Sequence, residues 1–162
     1  DLQTTLMKYG IRDHRGGGRA SGRETLARVI GGYFAQLTLP QQTSFYAYIS
    51  EVGHFKLQNH PQNHHVERGE INLPDRILTQ KVISFLEKCK EIGESAGGVI
   101  TLSILNTPQG LGEPVFDKLK ADLAKAMLSI PACMGFSIAE GFESSKLPGS
   151  LISKDSSFFG GM

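Results

Sequence analysis

Two hydrophobic periodicities alternate along this chain, and their order limits the folds that it can adopt. Apolar residues at three- and four-residue steps predict helices, and short alternating or continuous apolar runs predict strands. The helical pattern covers residues 22–37, about 74–93 and about 115–129, and the strand pattern covers residues 43–50, 97–105 and 134–139. This order predicts a layered α/β or α+β sandwich, because helical connections allow parallel strands without requiring them.

The apolar positions of these segments predict what is buried. The first helix should bury a single face made of Leu26, Val29, Ile30, Tyr33, Phe34 and Leu37. Gly31 and Gly32 would each weaken it by up to about 1 kcal/mol relative to alanine, which predicts a close approach by another backbone. Ser21 and Glu24 have the S-x-x-E spacing of a capping box, so this helix should begin at Gly22. The strand over 97–105 is predicted to be buried.

The length of 162 residues is that of one ordinary domain, and we predict a single domain over residues 1–162. Cys89 and Cys133 show neither a C-x-x-C spacing nor a disulfide framework, which favours a reducing, cytoplasmic location. His60, His64 and His65 lie in a polar loop without cysteine, so we predict solvated histidines and no metal site. No apolar run approaches the roughly 18 residues that cross a membrane.

The charge of the chain is unevenly distributed. Its total is only +1, which indicates neither a nucleic-acid partner nor a membrane surface. Residues 8–28 nevertheless carry six basic side chains against two acidic ones, a net charge of +4, and the remaining residues carry −3. The positive charge is therefore concentrated around one glycine loop.

That loop, Arg15-Gly16-Gly17-Gly18-Arg19, leads directly into the first predicted helix. Glycines let backbone N–H groups approach an oxyanion, and an arginine can donate two parallel hydrogen bonds to a phosphate or carboxylate. An anion-binding loop is one interpretation, and a surface turn beside a solvated basic face is the other. The loop matches neither the phosphate-loop pattern nor G-x-G-x-x-G, so the ligand stays open. Residues 93–98 likewise fit either a phosphate-binding turn or a helix C-cap.

Residues 8–25, K-Y-G-I-R-D-H-R-G-G-G-R-A-S-G-R-E-T, closely resemble a signature of the chorismate synthase family. Further similar segments follow in the order of that family: residues 93–98, 110–117, 129–132, 141–142 and 149–150. The resemblance implies an α+β fold, a layered β-α-β sandwich with helices packed between or against sheets.

The resemblance also implies an activity and a site. The activity is that of a lyase that converts 5-enolpyruvylshikimate-3-phosphate to chorismate and phosphate by 1,4-anti elimination in the shikimate pathway. Reduced FMN (FMNH2) is the implied cofactor, NADPH the associated reductant, and a cytoplasmic homotetramer the implied assembly. Arg19, Ala20 and Ser21 should contact FMN, with Arg19 also positioned for the substrate phosphate, and Pro131 and Ala132 should line the flavin from the other side.

Members of that family are about twice as long, so we expect an internal portion of such a chain. The family motif G-E-S-H-G is absent and P-G-H-A-D would lie before or at Asp1, which leaves the catalytic residues unassigned. Residues 155–161 resemble a shortened flavin loop. The alternatives are a catalytically inactive fragment or anion-binding interaction module that keeps the fold, and a generic phosphate- or nucleotide-binding domain.

Overall fold

The computed structural model describes residues 2–11, 14–61 and 70–152. Contacts divide the chain into two compact units, Asp1–Pro40 with Pro108–Met162, and Gln41–Thr107. The single domain over residues 1–162 stays a prediction. His64, His65 and residues 155–161 lie outside the described residues.

The unit of residues 41–107 contains a three-stranded antiparallel sheet in the order β2-β1-β3. The strands are β1 (Ser44–Val52), β2 (Phe55–Lys56) and β3 (Gly98–Leu105). β1 pairs with β3 from Ser44↔Leu105 to Val52↔Gly98, with a shift in register between Ile49 and Glu51. The strands predicted over residues 43–50 and 97–105 are therefore confirmed, and the short β2 was not predicted.

Helix α3 (Arg76–Glu91) packs against the core of this unit and contributes Val82 to it. It begins at Asp75, whose carboxylate accepts a hydrogen bond from the backbone N–H of Leu78 at 2.8 Å, and so satisfies one free donor of the first turn. Val82 on its inner face is fully buried. The buried apolar residues of this core are Tyr48, Val52, Leu57, Leu73 and Val82.

The predicted burial of β3 is wrong among the described residues. Ile100 is 72% exposed, and Val99 and Leu102 are exposed as well. A strand is buried on both faces only where other elements cover both faces of its sheet, and no described residue covers these side chains of β3.

The other unit is mainly helical. Its α-helices are α1 (Leu2–Tyr9), α2 (Thr25–Gln36), α4 (Leu119–Leu128) and the short α5 (Gly149–Ile152). Single turns of 3₁₀ helix occur at Gly18–Ala20 and Gly22–Glu24, and a longer one at Gly141–Lys146. α1 was not predicted, and α4 begins four residues after the predicted Val115. The strand predicted over residues 134–139 is wrong, because no described residue pairs with this segment.

Helix α2 departs from its prediction in two respects. The helical path does begin at Gly22, but as a 3₁₀ turn, and the side chain of Ser21 makes no capping hydrogen bond. The six apolar residues of its predicted buried face are exposed to between 52% and 71%. No atom lies within 4 Å of a Cβ built on Gly31 or Gly32, so the close backbone approach predicted there is wrong among the described residues. Periodicity predicted the face, and nothing in the described chain covers it.

Candidate functional site

The glycine loop is shaped by backbone conformations that favour glycine. Gly16 has φ of +135° and Gly18 has φ of +54°. The chain then closes two successive turns, in which the N–H of Ala20 donates to the carbonyl of Gly17 at 2.9 Å and that of Glu24 donates to Ser21 at 3.1 Å. A substituent at Gly18 would enter open space, so this residue is needed for its backbone angles and leaves room beside the loop.

The three site residues predicted in this loop stand side by side. Arg19 and Ala20 are exposed, and Ser21 is half-buried. Arg19 lies in the 3₁₀ turn Gly18–Ala20, where its backbone is held by the turn and its side chain reaches solvent. An arginine in this position can present its planar fork to a phosphate or carboxylate.

The structure adds Arg23 to this loop. Its two terminal nitrogens lie 3.9 and 4.0 Å from the position that a Cβ on Gly16 would take, so its guanidinium folds back over the loop. Arg23 belongs to the basic stretch of residues 8–28, but no role was predicted for it from the sequence. Its spacing of four residues from Arg19 was the available signal, although such spacing alone does not tell a loop contact from a solvated helix side.

The other predicted pair, Pro131 and Ala132, occupies a tight turn. The N–H of Cys133 donates to the carbonyl of Ile130 at 3.1 Å, so Pro131 and Ala132 are its two central residues. Proline pre-sets the backbone at the first of these positions. Ala132 has φ of +62°, a left-handed conformation that costs a non-glycine residue about 1 to 2 kcal/mol. Both residues are exposed.

One side-chain contact joins the elements that carry the two groups of predicted residues. Arg28 in α2 donates a hydrogen bond from Nη1 to Oγ of Ser129 at 2.6 Å. Its Nε donates to Oε2 of Glu24 at 2.8 Å. Ser129 lies two residues before Pro131, and Glu24 lies five residues after Arg19. Glu24, predicted to serve a capping box, thus binds Arg28 instead.

The segment 93–98 proves to be a helix C-cap. Gly93 has φ of +72°. Its N–H donates to the carbonyl of Lys90 at 3.2 Å, and the N–H of Glu94 donates to that of Cys89 at 2.8 Å. This pair of bonds is the Schellman motif, which satisfies the last carbonyls of α3. The alternative of a phosphate-binding turn is therefore not needed to explain Gly93.

The remaining candidates outside the glycine loop are structural. His60, predicted to be a solvated histidine, is exposed but shares a hydrogen bond of 2.8 Å between its Nδ1 and the hydroxyl of Tyr48. Cys89 and Cys133 are free and half-buried. No group of three metal-ligating side chains occurs among residues 2–11, 14–61 and 70–152. No described helix is both long and apolar enough to cross a membrane.

A surface groove of about 540 Å³ lies elsewhere, between α3 and the turn that joins β1 to β2. His54, Phe85, Lys81 and Lys88 are among the residues that line it, and none of the predicted site residues does. Its aromatic rings belong to the packing of this unit, in which His54 contacts Phe85 edge-on at 5.2 Å. The groove does not coincide with the predicted chemistry.

The fold and the candidate site define an α+β protein with an exposed, arginine-bearing glycine loop and a strained turn on an adjoining element. A sequence model of the family "Chorismate synthase" matches residues 1–159. The chain belongs to the chorismate synthase family.

Relatives and a solved structure agree with this membership. The chain is 42% identical over 151 residues to the chorismate synthase of Methanosarcina mazei and 45% identical over 144 residues to that of Cytophaga hutchinsonii. These alignments cover 91% and 86% of this chain. A crystal structure of chorismate synthase superposes with a TM-score of 0.81 at 27% identity and covers 93% of this chain. The predicted α+β fold class is thereby confirmed.

This chain corresponds to only part of the length of each relative. The chain spans 41% of the Methanosarcina mazei protein, 40% of the Cytophaga hutchinsonii protein and 50% of the solved chain. This chain therefore lacks a counterpart to more than half of the length of these two curated relatives. The exposure of the apolar face of α2 is observed without that remaining length.

Proposed function

We propose that the protein containing this chain is a lyase that converts 5-enolpyruvylshikimate-3-phosphate to chorismate and phosphate. The observation that carries the proposal is the family match over residues 1–159. The elimination breaks the carbon–oxygen bond to phosphate and removes one hydrogen from C6, so no net oxidation occurs. Phosphate departs as an anion, and its departure requires nearby positive charge.

The glycine loop supplies that charge in the proposal. Arg19 is exposed, and no ion pair joins it to another described residue. Its fork can take the substrate phosphate, and the guanidinium of Arg23 above Gly16 adds a second positive charge to the same loop. The net charge of +4 over residues 8–28 also favours the approach of a multiply anionic substrate.

The residues present fit reduced FMN as the cofactor. Arg19, Ala20 and Ser21 would hold it from the loop, where open space beside Gly18 leaves room for a ligand. Pro131 and Ala132 would line it from the turn, and the unusual φ of Ala132 is the kind of strain that concentrates at ligand sites. Held by these residues, reduced FMN would supply transient electron density to the elimination without net oxidation. No residue of this chain is proposed as the acid or base.

Anaerobic turnover decides the proposal. The full-length protein, supplied with FMN, a reductant and 5-enolpyruvylshikimate-3-phosphate, should release chorismate and phosphate in equal amounts. No chorismate under these conditions would contradict the proposed activity. Omitting the external reductant and adding NADPH tests whether the protein reduces its own flavin.

The second candidate is an inactive fragment or an anion-binding interaction module. The exposed cationic loop favours the anion-binding part of this candidate function. It predicts that the protein binds phosphate or the substrate but forms no product. A generic nucleotide-binding domain would instead bind unrelated nucleotides saturably and FMN not at all. Titration with FMN, ADP and inorganic phosphate identifies a generic nucleotide-binding domain, and the anaerobic turnover assay separates the lyase from the inactive module.

The proposal extends to assembly and location. We expect a cytoplasmic homotetramer without nucleic-acid or membrane partners. Light scattering coupled to size exclusion on the full-length protein should give four times the mass of one chain. A monomer or dimer at micromolar concentration would contradict the tetramer and leave the proposed activity untouched.

A further inference from the structure

Arg28 is the only described side chain that connects α2 to the end of α4 by a hydrogen bond. The guanidinium uses two separate donors: Nε binds Glu24 at 2.8 Å, and Nη1 binds Ser129 at 2.6 Å. Because the guanidinium is planar and its donors diverge at fixed angles, binding both partners fixes their relative direction. A residue with a single donor direction cannot do this.

Ser129 is itself firmly held at the end of α4. It is the C-cap residue, and its N–H donates to the carbonyl of Lys125 at 3.2 Å. Its hydroxyl donates to the carbonyl of Ala126 at 2.6 Å, which leaves the lone pairs of Oγ to accept from Arg28. A cation is also favoured here, because unpaired carbonyls give the end of a helix a partial negative charge.

The hydrogen bonding continues from Ser129 into the strained turn. The N–H of Ile130 donates to Met127 at 3.0 Å, and that of Cys133 closes the turn onto Ile130 at 3.1 Å. Ala132 keeps its φ of +62° inside that turn. A left-handed alanine persists only where its surroundings hold it, and Ala132 lies in the turn that directly follows the end of α4.

We infer that Arg28 is a positioning residue that sets the Pro131–Ala132 turn relative to the glycine loop. The inference rests on the proposed function, because it assigns the turn and the loop to the same flavin site. Arg28 itself contacts neither cofactor nor substrate in this inference. It acts through Ser129 on one side and through Glu24, in the 3₁₀ turn that follows the glycine loop, on the other.

If Arg28 only stabilised the fold, its loss should affect the unfolding transition at least as much as FMN binding. Arg28 and Glu24 form an ion pair four residues apart on a helix, with 39% and 31% of their side chains exposed. Pairs of this kind contribute little to stability, since solvent screens both charges. Loss of Arg28 should therefore change FMN binding far more than it changes the unfolding transition.

The test uses the full-length protein and four variants: Arg28→Ala, Arg28→Lys, Ser129→Ala and the double variant of the two alanine changes. Lys146→Ala is the matched control, because it removes another ion pair at helical spacing, with Glu143 at 2.7 Å, in the same unit. The first measurement is the FMN dissociation constant in the presence of substrate. The second is hydrogen exchange of the peptide spanning residues 129–134 without FMN.

Each single alanine change should weaken FMN binding about tenfold, and the double variant should be no weaker than Arg28→Ala, since both changes break one contact. Arg28→Lys should not restore binding. Hydrogen exchange at residues 129–134 should speed up in all four variants and stay unchanged in Lys146→Ala. Unchanged FMN affinity in Arg28→Ala, or additive losses in the double variant, would overturn the inference.

FMN binding and chorismate formation by the wild-type protein distinguish a failure of this inference from a failure of the proposed function. If it neither binds FMN nor forms chorismate, the proposed function fails and the positioning role falls with it. If it does both and the variants match the Lys146→Ala control, only the role of Arg28 is refuted.

Discussion

The ring of Phe85 fills the space that a side chain on Gly53 would need. A Cβ atom built on Gly53 would lie 2.8 Å from Cε1 and 2.9 Å from Cζ of Phe85. Gly53 also has φ of +56°, which L-residues adopt at a cost of about 1 to 2 kcal/mol. The turn between β1 and β2 therefore depends on glycine for both space and backbone conformation.

Gly53→Ala should lower the free energy of unfolding by about 2 to 3 kcal/mol, because backbone strain and overpacking add. Urea denaturation of the full-length protein measures this change. Gly97→Ala is the matched control, since no atom lies within 4 Å of its Cβ position and its φ is not positive. Equal effects of the two substitutions would contradict the explanation.

Val82 should be the most sensitive position of α3. It is 0% exposed at the centre of the core, and truncation to alanine removes two buried methyl groups. We expect Val82→Ala to cost about 2 kcal/mol of unfolding free energy. Ile77→Ala on the same helix should cost no more than about 0.5 kcal/mol, because Ile77 is 73% exposed. A smaller effect at Val82 than at Ile77 would show that the helix packs differently.

Helices α2 and α3 show what a hydrophobic pattern can and cannot predict. Both were predicted to be amphipathic, and both are helices. The apolar face of α3 is covered because β1 lies within its own unit. That of α2, with Tyr33 63% exposed, is not covered by any described residue. Periodicity indicates which residues share a face, but it does not indicate which other element covers that face. This chain spans only 41% of its Methanosarcina mazei relative.

The candidate site also has one part that the sequence predicts and one part that it does not. Arg19 and the loop around it could be predicted, because glycines and arginines at close spacing carry a local chemical signal. The bond from Arg28 to Ser129 joins residues 101 positions apart, and no local pattern encodes such a contact. The left-handed φ of Ala132 could not be predicted either, because alanine, unlike glycine, rarely adopts that conformation.

Tyr48 should make stability fall at high pH. Burial raises the pKa of its hydroxyl above the ordinary value, an effect partly offset by the side chain of Thr101. The unfolded chain therefore releases this proton first, at about pH 10, and the free energy of unfolding decreases as the pH rises further. Tyr48→Phe should reduce that decrease, although it loses the hydrogen bond to His60 and about 1 kcal/mol at neutral pH.

Denaturation at pH 8 and at pH 10.5 measures the difference. Tyr33→Phe is the matched control, because Tyr33 is an exposed tyrosine in the other unit. The same loss of stability between the two pH values in wild type and Tyr48→Phe would refute the contribution of Tyr48.

Arg19 should matter for catalysis and not for folding. Its side chain is exposed and makes no ion pair with a described residue, so Arg19→Ala should leave the unfolding transition within about 0.5 kcal/mol of wild type. If it binds the departing phosphate, the same change should lower kcat/KM by about 30- to 1000-fold, the loss of one or two charge-assisted hydrogen bonds. Steady-state kinetics under anaerobic conditions measures this.

Two further variants distinguish the fork of Arg19 from its charge alone. Arg19→Lys keeps the charge but offers no parallel pair of donors, so it should recover only part of the lost activity. Arg76→Ala removes another exposed arginine, from the other unit, and should leave kcat/KM unchanged. Full recovery in Arg19→Lys would mean that a single positive charge suffices at this position. Wild-type activity in Arg19→Ala would remove the residue from the site, and the phosphate would then have to be bound by another cation of the loop, with Arg23 above Gly16 the first to examine.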